Sequence, residues 1–272
     1  MNQFVEIICI GNELLIGKTL NTNAQWLTKR VTTLGLTTKR VTVVGDNLPD
    51  ISRAIKEAIQ RKPRFVLTTG GLGPTFDDMT LEGLAQALGR KIKVDNHALQ
   101  MVTEKYQSYA QQSKLDEIEL TPHRVKMAKI PEGSVPVCNP VGTAPAVKIE
   151  HENVTVFALP GVPSEMKSIF DASIAPLLKK AGHGITFFET SIASEGVMES
   201  EMAPFVDVVM KDNPYVYIKS HPKGAETTPV IEFHVSTTAK DASEAKKIVK
   251  KAVAELKELV KAKAGRVTKP EE

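Results

Sequence analysis

The chain has 272 residues, of which 42% are hydrophobic and 25% charged, with a formal net charge of +3 at pH 7. This is the composition of an ordinary globular protein, long enough for one large domain or two smaller ones. No run approaches the roughly 18 apolar residues of a membrane span, and the N-terminus lacks the basic segment of a signal peptide. The two cysteines fit a reducing compartment, so we expect a cytoplasmic protein with both thiols buried.

Basic residues are spread along the chain, and their densest stretch, 246–263, is interleaved with Glu255 and Glu258. Such a stretch is typical of a solvated helix face, so nucleic acid is not an expected partner. No cluster of cysteine and histidine has the spacing of a zinc site.

Strand and helix patterns alternate through the first 90 residues. Apolar runs predict strands at 5–10, 38–44 and 64–69, and apolar stripes at helical spacing predict helices between them. A β-α-β-α-β order with short links predicts a parallel sheet and an α/β fold. Ligands of such sheets bind beside the carboxyl ends of the strands.

A glycine-rich stretch, Gly70–Thr80, lies between the third predicted strand and a predicted helix. Three glycines in four residues let the backbone take positive φ and approach a ligand closely. Free N–H groups in such a turn, with a helix N-terminus behind them, attract anions such as phosphate. Asp77 and Asp78 follow, where a carboxylate can hold a metal ion or a reacting water. The alternative is a tight turn with an aspartate as helix N-cap; we favour a ligand role for Asp78 and leave Asp77 open.

Three further charged side chains are candidates for the site. Glu13 lies on the predicted loop after the first strand, where a carboxylate can bind a divalent metal ion or a ribose hydroxyl. Glu165 follows a later strand, 154–159, and is a candidate metal ligand, while Lys126 can contact phosphate as a point charge. The structural alternatives are a surface carboxylate for Glu13, a first-turn residue on the helix dipole for Glu165 and a surface lysine for Lys126.

The second part of the chain predicts a smaller, separate domain. Gly182-His183-Gly184 is a candidate linker between domains at 1–180 and 185–265. The later segment has a βαββα order, which is typical of a small α+β domain with a modest core. Pro204 must lie in the first turn of its helix or kink that helix, and we expect a frayed tail over 266–272.

Several spaced motifs occur in an order that resembles the CinA family (competence/damage-inducible protein A). More broadly, about the first 175 residues resemble the MoaB/Mog-like molybdopterin-binding fold. The matching residues are Gly11-Asn12-Glu13-Leu14-Leu15, Asn21-Thr22-Asn23, Gly45-Asp46, Gly70-Gly71-Leu72-Gly73-Pro74-Thr75 with Asp77-Asp78 and Thr80, Lys126, Asn139, Gly142-Thr143-Ala144-Pro145, and Pro160-Gly161-Val162-Pro163 with Glu165.

This resemblance implies a fold and an activity. The fold is a three-layer αβα domain with a mostly parallel sheet, followed by a small KH-like α+β domain, and by analogy we expect a homodimer. The activity is hydrolysis of the diphosphate of ADP-ribose, a nucleotide-type small molecule, with Mg²⁺, Mn²⁺ or Co²⁺ as the divalent metal. Longer members of the family carry a further deamidase domain, for which this sequence of 272 residues is too short, so we expect no deamidase activity.

The resemblance also implies the roles of individual residues. The catalytic residues would be Asp78, Asp77 and Glu13, and the metal ligands Asp78, Glu13 and Glu165. The expected substrate-binding residues are Gly11, Asn12, Asn23, Gly70, Gly71, Gly73, Thr75, Lys126, Gly142, Thr143, Pro160 and Gly161.

Two other functions compete with this prediction. Molybdenum-cofactor proteins of the same fold use the equivalent loop for molybdopterin binding or adenylylation. Leu72 stands where those proteins usually have threonine, which favours the CinA branch. RNA binding by the KH-like region is not expected, because no Gly-x-x-Gly clamp lies between 185 and 265.

Overall fold

The computed structural model describes residues 4–113, 119–223, 229–263 and 265–268, which form two compact units. Unit 1 consists of the described residues within Met1–Thr32 and Leu36–Ala181, and unit 2 of those within Thr33–Gly35 and Gly182–Glu272. In this described part of the chain, no helix is both long and apolar enough to cross a membrane.

The elements of unit 1 alternate between strands and helices. The strands are β1 (Phe4–Ile10), β2 (Thr37–Val44), β3 (Phe65–Thr69), β4 (Ile92–Val94), β5 (Lys129–Pro131), β6 (Val135–Val137), β7 (Ala146–His151) and β8 (Val154–Leu159). The helices that begin in this unit are α1 (Asn12–Leu15), α2 (Thr22–Thr33), α3 (Leu48–Gln60), α4 (Thr80–Leu88), α5 (Asn96–Ser113), α6 (Pro122–Lys126), α7 (Pro163–Ile169) and α8 (Ala175–Ala181), with a π-helical turn over Phe170–Ile174.

A six-stranded sheet in the order β2-β1-β3-β8-β7-β6 forms the centre of unit 1. Strands β2, β1, β3 and β8 are parallel, whereas β7 and β6 are antiparallel to their neighbours. Every residue of β1, β3 and β8 is buried, which explains why these segments are mostly apolar rather than alternating. The predicted α/β class with a mostly parallel sheet is confirmed.

Local sequence explains how α3 begins and how it packs on α4. Asn47 caps α3, because its Oδ1 accepts a hydrogen bond from the N–H of Asp50 at 3.2 Å, and Pro49 lies in the first turn. A Cβ on Gly83 of α4 would lie 2.4 Å from Cγ2 of Ile51 in α3. Glycine at this position therefore allows the two helices to approach closely.

Unit 2 is built around an antiparallel sheet in the order β10-β11-β9-β12, where β9 is Thr186–Glu195, β10 is Val216–Pro222, β11 is Val230–Ala239 and β12 is Arg266–Thr268. Its helices are α9 (Glu199–Asp212) and α10 (Ala242–Ala262). Alternate residues of β11, Ile231, Phe233 and Val235, are buried in a core that α9 and α10 complete. Asp241 caps α10 by accepting a hydrogen bond from the N–H of Glu244 at 2.8 Å.

In unit 2, the first-turn alternative for Pro204 and the frayed tail over 266–268 are wrong. Pro204 is the sixth residue of α9 and lies beyond its first turn, because the helix begins at Glu199 and buries Met202 and Val206 in the core. Residues 266–268 do not fray, because they pair with β9 and so supply hydrogen-bond partners along the edge of that strand. Residues 269–272 lie outside the described residues.

Two expectations for unit 1 are also wrong. Glu13 lies in the short helix α1 rather than in a loop, because hydrogen bonds from Leu14 to Gly11 and from Ile16 to Asn12 close a helical turn. Cys9 is buried as predicted, but Cys138 is exposed, since it follows the short strand β6 and lines a surface cavity beside α5.

Candidate functional site

The loops that follow β1, β2, β3 and β8 meet at the carboxyl edge of the parallel sheet in unit 1. Asn12 and Asp46 join the first two loops: the Asn12 N–H donates to Asp46 Oδ2 at 2.8 Å, and the Asp46 N–H donates to Asn12 Oδ1 at 3.2 Å. The loops after β3 and β8 are equally close, because a Cβ on Gly161 would lie 3.3 Å from the Cα of Gly70. Residues that are far apart in the sequence therefore form one continuous surface.

The glycine-rich loop begins with two residues of positive φ, 108° at Gly70 and 67° at Gly71. A Cβ on Gly70 would lie 2.1 Å from the carbonyl oxygen of Ile10, so a side chain would push β3 and β1 apart. The buried Thr80 fastens the loop: its Oγ1 donates to Gly70 O at 2.7 Å, and its N–H donates to Gly71 O at 3.1 Å. The loop is thus tied to the first residue of α4.

Three successive N–H groups of this loop have no acceptor among the described residues. The N–H groups of Gly71, Leu72 and Gly73 donate to no atom in the described part of the chain. They lie ahead of the N-terminus of α4, whose dipole adds positive potential. Such an arrangement binds anionic oxygens.

Leu72 is part of the hydrophobic core, and the whole residue is only 4% exposed. It packs in the same cluster as Leu81 and Leu84 of α4. The side chain of Leu72 therefore packs in the core, and its use as a mark of the CinA branch stays a prediction.

Thr75 organises the two carboxylates that follow the loop. The Asp78 carboxylate accepts a hydrogen bond from the Thr75 N–H at 2.8 Å. The Thr75 hydroxyl oxygen lies 2.6 Å from Asp78 Oδ2 and 2.5 Å from Asp77 Oδ1. Because a hydroxyl has one proton, it can donate to only one of them at a time. The hydrogen bond from Thr75, the Asp77 N–H and the charge of Lys126 lower the pKa of Asp77, which keeps this exposed carboxylate ionised.

Lys126 braces the same loop. Its ammonium donates to the carbonyl oxygens of Thr75 and Asp78, the latter at 2.6 Å. An ammonium has three N–H groups, so one remains for a ligand. The structure gives Lys126 a structural role that the sequence did not predict, in addition to its charge beside the loop.

The loop before β7 is organised by the buried Asn139. Its Nδ2 donates to Glu165 Oε2 at 2.7 Å and to Ala144 O at 2.9 Å, and its Oδ1 accepts from the Gly142 N–H at 2.8 Å. The Glu165 carboxylate lies directly against Gly142, where a Cβ would approach within 2.1 Å. In contrast, Thr143 contacts the sulfur of Met127 at 3.9 Å and lines a cavity beside α5, so it is not grouped with the glycine-rich loop.

The loops after β1 and β8 enclose a further cavity with a volume of about 100 Å³. Asn23 of α2 closes it by donating to Thr69 Oγ1 at 3.0 Å and to Gly161 O at 2.8 Å. The Thr69 hydroxyl in turn donates to Pro160 O at 2.9 Å. The sequence did not predict this role of Thr69, although a threonine that ends a buried strand is a signal for a polar contact at the sheet edge.

The predicted metal ligands do not converge. Among the residues that the structure describes, no group of three histidine, cysteine, aspartate or glutamate side chains could hold a metal ion. The Asp78 carboxylate accepts a hydrogen bond from Thr75, and the Glu165 carboxylate accepts one from Asn139. Glu13 has no cationic partner in the described ranges. The side chains alone therefore do not form a metal site.

Comparison with known proteins gives matches over both units. A family model described as a probable molybdopterin binding domain matches residues 6–180. A protein from Sulfurisphaera tokodaii is 45% identical over 257 residues, which cover 94% of this chain and 94% of that protein. A protein from Sulfolobus acidocaldarius is 43% identical over 268 residues, or 98% of each chain.

A solved structure is also similar. The crystal structure of the protein CinA with unknown function from Thermoplasma acidophilum is 41% identical, covers 63% of this chain and 95% of that one, and superposes with a TM-score of 0.58. The predicted resemblance of the first domain to a molybdopterin-binding domain, and its likeness to a CinA protein, are confirmed.

Proposed function

Because this chain belongs to the family of the probable molybdopterin binding domain, we propose that unit 1 binds a phosphate-bearing ligand of the molybdopterin type. The main support is the row of N–H groups at Gly71, Leu72 and Gly73, which have no acceptor in the described ranges and precede the N-terminus of α4. These donors match the acceptor oxygens of a phosphate.

The charges around the loop indicate where the phosphate lies. The Asp78 carboxylate lies against Gly73, because a Cβ on that glycine would be 2.6 Å from Asp78 Oδ2. Since this carboxylate repels an anion, we place the phosphate toward Gly71 and Leu72. The ammonium of Lys126, held beside Asp78 by the carbonyl oxygens of Thr75 and Asp78, offsets the negative charge of that carboxylate and adds positive potential to the loop.

Calorimetric titration with inorganic pyrophosphate tests the phosphate site, and fluorescence of the oxidised extract tests for co-purified pterin. Lys126→Ala removes a charge and frees the loop, so we expect roughly tenfold or greater loss of pyrophosphate affinity, since hydrogen bonds to charged groups contribute about 1.5–3 kcal/mol. The matched control is Lys129→Ala, an exposed lysine three residues away on β5. An equal loss in both variants, or no binding of either probe to the parent protein, contradicts the proposal.

A second candidate function is hydrolysis of the diphosphate of ADP-ribose, which the resemblance to CinA proteins implies. The carboxylate of Glu13, which pairs with no cation among the described residues, and the ionised Asp77 favour it, because both lie at the edge where a diphosphate would bind. A divalent ion would need phosphate oxygens to complete its coordination, as Mg²⁺ often does.

Release of AMP from ADP-ribose with Mg²⁺, Mn²⁺ or Co²⁺ tests this candidate. We expect Asp78→Ala to lose most of the turnover while the circular dichroism spectrum stays unchanged. Absence of AMP with all three metals, in a sample that still binds pyrophosphate, removes the hydrolase and leaves the binding function.

A further inference from the structure

Helix α6 places two basic side chains on the second half of the glycine-rich stretch. Lys126 donates to Thr75 O and Asp78 O, as described above. His123, an exposed residue one helical turn earlier on the same face of α6, contacts Pro74 O through Nδ1 at 3.2 Å. A single short helix therefore holds three carbonyl oxygens of this segment.

The contact with Pro74 fixes the protonation of one ring nitrogen of His123. A carbonyl oxygen can only accept a hydrogen bond, so Nδ1 must have the proton. In the neutral ring Nε2 is then an acceptor, and after uptake of a second proton both nitrogens are donors and the ring is cationic. Because the hydrogen bond to Pro74 O exists in both forms, the ring keeps its place while its charge changes.

The two charge states differ in their effect on a bound anion. Because the ring nitrogens are separated by a single carbon atom, the charge of the imidazolium lies beside the segment that follows Gly73. An ionic interaction acts over several ångströms, so this charge attracts an anion on the loop without a direct hydrogen bond. Imidazole side chains change charge between about pH 5 and 8.

The other titratable groups of this region keep their charge over that range. Lysine and arginine side chains stay protonated, tyrosine stays neutral and aspartate carboxylates stay ionised. The hydrogen bond from Thr75 lowers the pKa of Asp77, which reinforces its ionisation. The groups are Arg124 and Lys126 on α6, Tyr106 on α5, whose ring centroid lies 4.1 Å from Arg124 Cζ, and Asp77 and Asp78 on the loop.

We infer that His123 is a further ligand-binding residue of unit 1, which positions the glycine-rich loop through Nδ1 and attracts the anionic ligand when Nε2 is protonated. The inference rests on the proposed function, because the ligand is the same phosphate-bearing compound. The affinity for such a ligand should contain a component that increases as the pH falls from about 8 to about 5.5.

Calorimetric titration with inorganic pyrophosphate at both pH values measures this component. His123→Asn is the decisive variant, because the amide nitrogen of asparagine takes the position of Nδ1 and can still donate to Pro74 O, whereas Nε2 is lost. Since pyrophosphate itself takes up protons in this range, the two proteins are compared at the same pH. We expect the parent to bind at least several-fold more tightly than the variant at about pH 5.5, and within about twofold of it at about pH 8.

Two further variants separate charge from positioning. His97→Asn is the matched control, because His97 is an exposed histidine in the first turn of α5, and it should bind pyrophosphate as the parent does at both pH values. His123→Ala loses the hydrogen bond to the loop as well as the charge. It should therefore bind more weakly than His123→Asn even at the higher pH.

A second measurement follows the ring itself. Protonation of His123 and binding of the anion should favour each other equally, because such coupling is reciprocal. Proton NMR of the imidazole, assigned by the loss of its signals in His123→Asn, reports the charge of the ring as the pH changes. With saturating pyrophosphate, the ring should be half protonated at a higher pH than in the ligand-free protein.

The outcomes separate this inference from the proposed function. If the ratio of affinities between the parent and His123→Asn does not change with pH, or pyrophosphate leaves the NMR titration in place, the role of His123 is overturned and the phosphate site stands. An equal pH-dependent loss in His97→Asn would show a general charge effect and also overturn it. If pyrophosphate does not bind to the parent at either pH, the proposed function falls, and this inference falls with it.

Discussion

At the scale of single residues, Leu72 connects the candidate site to the core. Its backbone belongs to the loop that we propose for phosphate, while its side chain packs among the residues of the unit 1 core. Phe76, four residues later in the same loop, is 83% exposed. Two apolar residues of one loop therefore have opposite surroundings.

This difference predicts opposite effects on stability. Leu72→Ala should lower the free energy of unfolding by about 2–5 kcal/mol, because it removes buried methyl groups and leaves a cavity. Phe76→Ala should change it by no more than about 0.5 kcal/mol. Urea unfolding followed by the fluorescence of Trp26, the only tryptophan of the chain, measures both variants. Similar values for the two would show that Leu72 does not anchor the loop.

The sequence predicted which residues surround the site better than it predicted what each side chain contacts. Glycines in a strand-to-helix turn indicate an anion site because of backbone physics, and the turn has this geometry. The burial of Leu72 and the bracing role of Lys126 were not predictable, because an irregular loop has no periodicity from which side-chain direction can be read. Both depend on contacts with residues distant in the sequence.

At the scale of elements, an ion pair links α3 to the central strand β1. Arg61, which follows α3, donates from Nε to Glu6 Oε1 at 2.8 Å and from Nη2 to Glu6 Oε2 at 2.7 Å. The Glu6 side chain is only 3% exposed, and its hydrogen bond raises the pKa of Arg61, which stays charged. The charge of the buried Glu6 carboxylate on β1 is therefore balanced by the guanidinium of Arg61.

Removing that guanidinium should be strongly destabilising. Arg61→Ala leaves the charge of Glu6 buried and unpaired, with an expected loss of about 3–5 kcal/mol in the free energy of unfolding. The control is Arg53→Ala, whose pair with Asp50 is exposed and contributes less than about 1 kcal/mol. Thermal unfolding monitored by circular dichroism compares the variants, and equal shifts in the midpoint would contradict the argument.

Elements with a regular apolar pattern were predicted, and those without one were missed. Helix α10 combines an apolar stripe with a capping aspartate, so both its existence and its start could be read from the sequence. Strand β12 has three residues, too few for alternation to be recognised, and only pairing with β9 makes it a strand.

At the scale of the whole molecule, each unit has a core of its own. The unit 1 cluster is formed by residues between Ile8 and Ala158, and the unit 2 cluster by residues between Ile192 and Val260. Phe157 and Phe233, one in each unit, are both almost fully buried. Homodimer formation and the KH-like character of unit 2 stay predictions.

Separate cores predict that a core defect stays local. Phe233→Ala should accelerate amide hydrogen exchange in β10, β11 and α10, because truncation of a buried phenylalanine costs about 3–5 kcal/mol. Exchange in β1, β3 and β8 should stay unchanged, and Phe157→Ala should give the reverse pattern. Mass spectrometry of peptides from the intact chain distinguishes the two units, and acceleration throughout the chain by either variant would refute the prediction.

The hydrogen bonds from Thr80 to Gly70 and Gly71 have a consequence for the kinetics of recognition. They order the loop while the chain folds, so a ligand meets a backbone that is already fixed and need not immobilise it. Association should then proceed without a slow rearrangement, and differences in affinity among ligands should arise mainly from how long each one stays bound.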